Sequence, residues 1–97
     1  MYNEKSLEKS VIKWAEKRGV IAMRLSDVGS RGFPDVFFAK NGKVCFIEFK
    51  SPTGKGKLHP LQKEMIDKLE SNRVSVHVSA DFKDSLDFLN KQFGDLL

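Results

Sequence analysis

The sequence predicts a small α/β fold in which helices flank one central mixed sheet of four strands, in the order αβββαβα. Three observations support this prediction. Apolar residues recur at helical spacing in three segments and alternate in the segments between them. An Asn-Gly pair separates two apolar runs, as in a two-residue hairpin. The 97 residues suffice for one modest core, so we expect residues 1–97 to form a single domain.

The first half of the chain begins with a predicted helix. Residues 4–18 have helical apolar spacing, and Gly19 supplies a stop. Residues 20–25, VIAMRL, are a short strand candidate, and residues 26–32 form a glycine-containing loop. The inward positions of the helix are Leu7, Val11, Trp14 and Ala15.

Two apolar strands follow, over roughly residues 34–40 and 43–50, joined by Asn41-Gly42. Both of these residue types tolerate the positive φ angles that a type I′ turn requires. We therefore expect an antiparallel hairpin that begins near Pro34.

The second half of the chain is predicted to form a helix, a strand and a last helix. Residues 51–59 form a basic loop, and Pro60 suits the first turn of a helix that runs to about Asn72. Residues 74–79, VSVHVS, alternate as a strand does, and Asp81 can cap the last helix. The middle helix has an apolar stripe of Leu61, Met65, Ile66 and Leu69, and the last one has Phe82, Leu86, Leu89 and Phe93.

Composition excludes several classes of protein. Forty per cent of the residues are hydrophobic, which is typical of a globular chain. No apolar run approaches the roughly 20 residues that span a bilayer. The N-terminus is polar and Cys45 is the single cysteine, so we expect a cytoplasmic protein without disulfides. The two histidines lie far from this cysteine in the sequence, which disfavours structural zinc.

Positive charge is concentrated in the first two thirds of the chain. The net charge is +4, but residues 1–63 carry +7 and residues 64–97 carry −3. Such an excess favours a polyanionic partner such as nucleic acid, or else a solvated lysine-rich surface. Charge alone does not distinguish the two.

The hairpin predicts which charged residues meet. If Asn41 and Gly42 are the two loop residues, Asp35 lies opposite Glu48, and Lys50 projects from the same face. The two faces of the hairpin are then Asp35, Phe37, Phe46, Glu48 and Lys50 on one side, and Val36, Phe38, Cys45, Ile47 and Phe49 on the other.

Two ionised carboxylates about 5 Å apart repel by roughly 3 kcal/mol at an effective dielectric constant of 20. A divalent cation such as Mg²⁺ or Mn²⁺ offsets this repulsion, because it prefers carboxylate oxygens. The alternatives are that Lys50 bridges both acids as a structural ion pair, or that one acid is protonated.

Two further polar residues fall on or beside apolar helical stripes. Glu8 lies on or beside the inward stripe of the first helix, where it is a candidate third ligand or a solvent-facing acid, and Glu4 lies one turn earlier. Gln62 precedes Met65 and Ile66 by three and four residues. Its amide is a site residue or a helix cap, since a buried amide needs hydrogen-bond partners.

These residues match a family pattern. The run FPD (33–35), followed by EFK (48–50), is similar to the signature of the PD-(D/E)XK nuclease superfamily. Together with Glu8, the segments GSRGFPDV, IEFKSPTGK and HPLQ resemble its VRR-NUC branch, the virus-type replication-repair nucleases. The resemblance covers roughly residues 4–79 and implies a restriction-endonuclease-like fold.

The resemblance implies roles for the site residues. It implies that Asp35 and Glu48 are metal ligands and that the backbone carbonyl of Phe49 is a further ligand. Glu8 corresponds to the acidic residue of the first helix. Lys50 positions the attacking water or stabilises the pentavalent phosphate. The residues expected near nucleic acid are Arg31, Lys55, Lys57 and Gln62.

The implied activity is a Mg²⁺- or Mn²⁺-dependent endonuclease acting on DNA, with branched, flap or junction DNA as the expected substrate. A homodimer, a helicase partner and a phage or prophage origin in a bacterial host are further expectations from the family. The competing hypotheses are a non-catalytic basic module that binds nucleic acid and a structural protein with a buried acid–lysine network.

Overall fold

The computed structural model describes residues 3–25, 32–51, 58–94 and 96. Three helices and four strands form in the predicted order αβββαβα. In chain order they are α1 (Glu4–Glu16), β1 (Ile21–Arg24), β2 (Val36–Lys40), β3 (Lys43–Phe49), α2 (Pro60–Ser71), β4 (Ser75–Ser79) and α3 (Phe82–Phe93).

The four strands form one mixed sheet, as predicted, and their order in the sheet is β1-β2-β3-β4. The first three strands are antiparallel neighbours, and β4 lies parallel to β3 after a crossover through α2. Lys40 pairs with Lys43 across the hairpin, so Asn41 and Gly42 are its two loop residues. Their φ angles of 51° and 79° are those of a type I′ turn, which confirms the predicted register.

The core lies between one face of the sheet and the helices α1 and α3. Leu7, Val11 and Ala15 of α1 are completely buried, as is Leu89 of α3. They pack against the predicted apolar face of the hairpin, which is also completely buried: Val36, Phe38, Cys45, Ile47 and Phe49. Burial raises the pKa of the Cys45 thiol to about 12, so this cysteine is an inert core residue.

The opposite face of the sheet is only partly covered. Helix α2 packs on this face through Ile66, and Phe46 is 7% exposed. On the edge strand β1, Ile21 and Met23 stay exposed. Leu61, predicted to face inward, is 44% exposed, because Gln62 is the first-turn side chain that reaches the sheet.

Helix ends follow local capping chemistry. The Asp81 carboxylate accepts a hydrogen bond from the N–H of Asp84, so the predicted cap of α3 is confirmed. Gly19 has a φ of 80° after α1, as its predicted role as a stop requires. None of the helices formed by the described residues is long and apolar enough to cross a membrane.

Candidate active site

Asp35 and Glu48 hold each other in place at the point where β2 begins and β3 ends. The N–H of Asp35 donates to Oε1 of Glu48 over 3.1 Å, and the N–H of Phe49 donates to Oδ2 of Asp35 over 2.9 Å. Each carboxylate therefore has one oxygen fixed by a backbone amide from the opposite strand. The hairpin brings the two acids together, as the sequence predicts.

The environment of the pair opposes two full negative charges. Burial raises the pKa of Asp35, against the lowering effects of the Phe49 N–H and of the Lys50 ammonium. Burial and then the charge of Asp35 raise the pKa of Glu48, which is only 2% exposed. A cation or a proton is therefore favoured at this pair.

Lys50 lies on the same side of the hairpin as the two acids. Its Nζ is 3.2 Å from Oε2 of Glu48, and its side chain is 15% exposed. The ammonium also lowers the pKa of both carboxyl groups. The backbone N–H of Lys50 donates to the carbonyl of Ser79 on β4, and this bond fixes the backbone from which the side chain extends.

Gln62 joins helix α2 to the acid pair. Its Nε2 donates to Oε2 of Glu48 over 2.7 Å, and its Oε1 accepts from the N–H of His59 over 3.0 Å. Nδ1 of His59 accepts from the N–H of Leu61, so His59 and Gln62 form the capping box of α2. One amide thus serves as the predicted cap and also contacts Glu48, and its role as a site residue stays a prediction.

The backbone around Phe49 is suited to offering a carbonyl oxygen. Within a strand, the N–H and C=O of one residue point to the same side. The N–H of Phe49 points to Asp35, and so its carbonyl lies on that side too. If the register of Val36 with Ile47 is continued by two residues, Pro34 lies opposite Phe49. Proline has no N–H, so it cannot donate a hydrogen bond to the Phe49 carbonyl.

Glu8 lies apart from the pair and contacts β1. Its Oε1 is 2.9 Å from Nε of Arg24, and its side chain is 12% exposed. Glu4, the competing helix acid, is exposed. Over residues 3–25, 32–51, 58–94 and 96, no three His, Cys, Asp or Glu side chains form a metal-binding group. The structure places Glu8 beside Arg24. The role of Glu8 as a metal ligand stays a prediction.

The residues of the pair fit a hard divalent cation. Two fixed carboxylates and a carbonyl are all oxygen donors, as Mg²⁺ and Mn²⁺ prefer. Burial raises the pKa of both acids, and the charge of Asp35 raises that of Glu48 further, although Lys50 lowers both. A divalent ion would relieve the repulsion between the two acids, with water filling the other coordination positions.

Three of the predicted nucleic-acid contacts lie outside the described residues, namely Arg31, Lys55 and Lys57. The segments that contain them flank the acid pair in sequence. Sequence reasoning missed Arg24, which is the ion-pair partner of Glu8. The sequence feature that could have indicated Arg24 is a charged residue on the inward face of β1, where it pairs with the buried Val36.

A comparison with known families shows which family the chain belongs to. The model of the VRR-NUC domain matches residues 2–80, which include the acid pair, Lys50 and Gln62. The chain belongs to the VRR-NUC domain family. The resemblance drawn from the sequence is therefore confirmed.

A curated relative comes from Acyrthosiphon pisum secondary endosymbiont phage 1 and bears the name "Putative nuclease p44". The chain is 40% identical to it over 53 residues, which is 54% of this chain and 57% of the relative. The chain thus matches a little over half the length of that relative. Helix α3 lies beyond the part of the VRR-NUC chain that the family model matches.

Proposed function

We propose that this VRR-NUC protein is a metal-dependent endonuclease that hydrolyses phosphodiester bonds in DNA. The observation that carries the proposal is the mutually fixed Asp35–Glu48 pair with Lys50 at 3.2 Å. Binding alone does not require two carboxylates held together against their repulsion. The family and the name of the phage relative also support a nuclease.

Each residue of the site has a defined task in this proposal. Asp35, Glu48 and the carbonyl of Phe49 hold the ion, and the amide of Gln62 keeps Glu48 in position. Bound there, Mg²⁺ or Mn²⁺ would supply Lewis-acid activation of water and would neutralise charge on the phosphate. Lys50 places a positive charge beside the acids, where it stabilises the negative charge that develops on the pentavalent phosphate.

Selectivity for branched or flap DNA, action as a homodimer and a place in the cytoplasm of a bacterial host extend the proposal. The phage origin of the relative accords with a bacterial host. A homodimer would carry two acid pairs and could cut two strands symmetrically.

The test is cleavage of labelled single-stranded, duplex, flap and four-way-junction DNA with Mg²⁺, Mn²⁺ or EDTA. We expect products with either metal and none with EDTA, and more product from branched DNA than from duplex. Binding without cleavage under every condition would favour the non-catalytic binding module instead.

A further inference from the structure

Helix α1 carries a row of lysines on its outer surface. Lys5, Lys9, Lys13 and Lys17 recur every four residues, and all four are exposed. Residues four apart lie on one side of a helix. The buried residues Leu7, Val11 and Ala15 repeat at the same interval two residues out of phase. These four residues, the lysine row, therefore lie on the exposed side of α1, and Lys9 and Lys13 also line a shallow pocket with Ala22 and Arg24 of the edge strand β1.

The lysine row is not neutralised by neighbouring acids. In the part of the chain that the structure describes, none of its members forms an ion pair with a carboxylate. The other two helices differ, since three of their lysines each pair with an acid four residues away. These pairs are Lys63–Asp67 at 3.5 Å, Lys68–Glu64 at 3.4 Å and Lys83–Asp87 at 3.0 Å.

Helix stability does not explain the lysine row. Like charges four residues apart destabilise a helix, and the row contains three such neighbouring pairs. Lys5 also lies in the first turn, where the helix dipole disfavours a positive charge. Only Lys13 and Lys17 occupy the end at which a cation stabilises the dipole.

Two anchored cations extend the row towards the β2–β3 hairpin. The guanidinium of Arg18 lies 4.1 Å from the ring centroid of Trp14 and donates to its carbonyl. Nζ of Lys40 donates to the carbonyl of Arg18 over 3.1 Å. Both side chains keep their positive charge near Lys17 without a carboxylate partner among the described residues.

The row leads away from the acid pair. Near the start of α1, Glu8 contacts Arg24, and the next residue, Leu25, donates its N–H to the carbonyl of Asp35. At the other end, Arg18 contacts Lys40, next to the hairpin turn. Twelve residues of helix span about 18 Å. That length corresponds to about five base pairs of DNA.

We propose that the lysine row binds the phosphate backbone of a DNA segment remote from the bond that is cut. This inference rests on the proposed function, because it names how the same enzyme holds its substrate. Exposed, regularly spaced and unneutralised cations match a polyanion, and the row extends along α1 towards Lys40, at the end of the hairpin opposite to Asp35 and Glu48.

The test compares two multiple variants, each made in the wild type and in the Glu48→Gln background. One replaces the four row lysines by glutamine, and the control replaces Lys63, Lys68 and Lys83 by glutamine. DNA affinity is measured against salt concentration. The slope of log K against log salt is negative, and each lost phosphate contact reduces its magnitude by about 0.9. We expect the row variant to lose about 2–4 in slope, and the control to lose less than about 1.

Kinetics and folding supply the second readout. The row variant is expected to raise KM at least about tenfold with kcat within about twofold, because the row binds substrate and transition state alike. Its thermal midpoint should equal or exceed that of the wild type, because like charges are removed. A row variant with the slope and KM of the control would overturn the proposal.

The outcomes separate the two proposals. If the Glu48→Gln protein binds DNA and the row variant shows the same salt dependence of binding, the lysine row is not a DNA-binding surface. The nuclease proposal then still stands. If cleavage occurs and the row variant loses kcat rather than affinity, the assignment to remote binding is wrong. If the parent neither binds nor cuts DNA, both proposals fail.

Discussion

Asp35 and Glu48 are joined reciprocally, because the backbone N–H of Asp35 binds the Glu48 carboxylate and the N–H after Glu48 binds the Asp35 carboxylate. The backbone of the hairpin therefore fixes one oxygen of each acid, and Gln62 and Lys50 contact the other oxygen of Glu48. This arrangement keeps two carboxylates together in a buried place where each raises the cost of ionising the other.

Metal should stabilise the protein, and more so at higher pH. Both acids have a folded-state pKa above the ordinary values of 3.8 and 4.5, chiefly because of burial. The native state thus binds protons more tightly than the unfolded state, and without metal the pair's contribution to stability falls as pH rises through the raised pKa values. Saturating Mg²⁺ should remove this loss and raise Tm by about 10 °C at pH 7.5.

The measurement is Tm between pH 4 and 8 in EDTA and in Mg²⁺, for the wild type and the Asp35→Asn/Glu48→Gln double variant. Subtracting the variant removes the contributions of other carboxylates, such as Asp84, whose pKa is lowered through hydrogen bonds from His77 and Ser79 although burial opposes this. A metal effect of equal size in the variant would place the ion elsewhere.

Gln62 should affect the reaction beyond its effect on helix α2. Gln62→Ala removes both a cap and the 2.7 Å bond to Glu48, whereas His59→Ala removes only a side-chain cap. A hydrogen bond to a charged group is worth about 1.5–3 kcal/mol. We expect kcat to fall about 10–100-fold in Gln62→Ala and less than about threefold in His59→Ala.

The two variants should lose similar stability, about 1 kcal/mol, because each removes part of one capping box. Urea unfolding provides that comparison alongside the kinetics. Equal kcat values for the two variants would show that the amide serves the helix only. His59→Asn, which restores a capping side chain, should recover the stability.

Glu8 offers a test of its predicted role as a ligand. In EDTA, a double-mutant cycle of Glu8→Gln and Arg24→Met should give a coupling energy of about 1 kcal/mol for the 2.9 Å ion pair. If Glu8 joins the ion, saturating Mg²⁺ draws it away from Arg24 and the coupling should fall towards zero. Unchanged coupling in Mg²⁺ would mean that Glu8 stays an ion-pair partner and is not a ligand.

Helix α3 should belong to the same cooperative unit as the site, although it lies beyond the family match. Leu89 is completely buried against the core. Leu89→Ala should cost about 2–5 kcal/mol in urea unfolding, whereas the exposed Lys91→Ala should change the free energy of unfolding by less than about 0.5 kcal/mol. A small loss for Leu89→Ala would mean that the sheet folds without α3.

The sequence predicted the parts of this structure that depend on local chemistry. Asn41-Gly42 sets a two-residue turn, and the turn sets the register that joins Asp35 to Glu48. Turn residues and strand alternation act over a few positions, so they can be read directly. The cap at Asp81 follows from the same kind of short-range pattern.

Long-range partners could not be predicted in the same way. The contact of Glu8 with Arg24 depends on how α1 crosses β1, and helical periodicity gives only the side of the helix. Leu61 fitted an apolar stripe, yet it is exposed because α2 presents Gln62 to the sheet instead. Both outcomes are decided by packing between elements and not by either segment alone.

The most direct test of the central claim is single-turnover cleavage of a DNA junction in Mg²⁺ by the wild type, by Glu48→Gln and by Glu70→Gln. Glu70 is an exposed acid on α2, so its variant controls for the same change of charge. We predict a loss of at least about 100-fold in rate for Glu48→Gln and less than about twofold for Glu70→Gln. Equal rates for Glu48→Gln and the wild type would contradict the assignment of the Asp35–Glu48 pair as a metal-dependent nuclease centre.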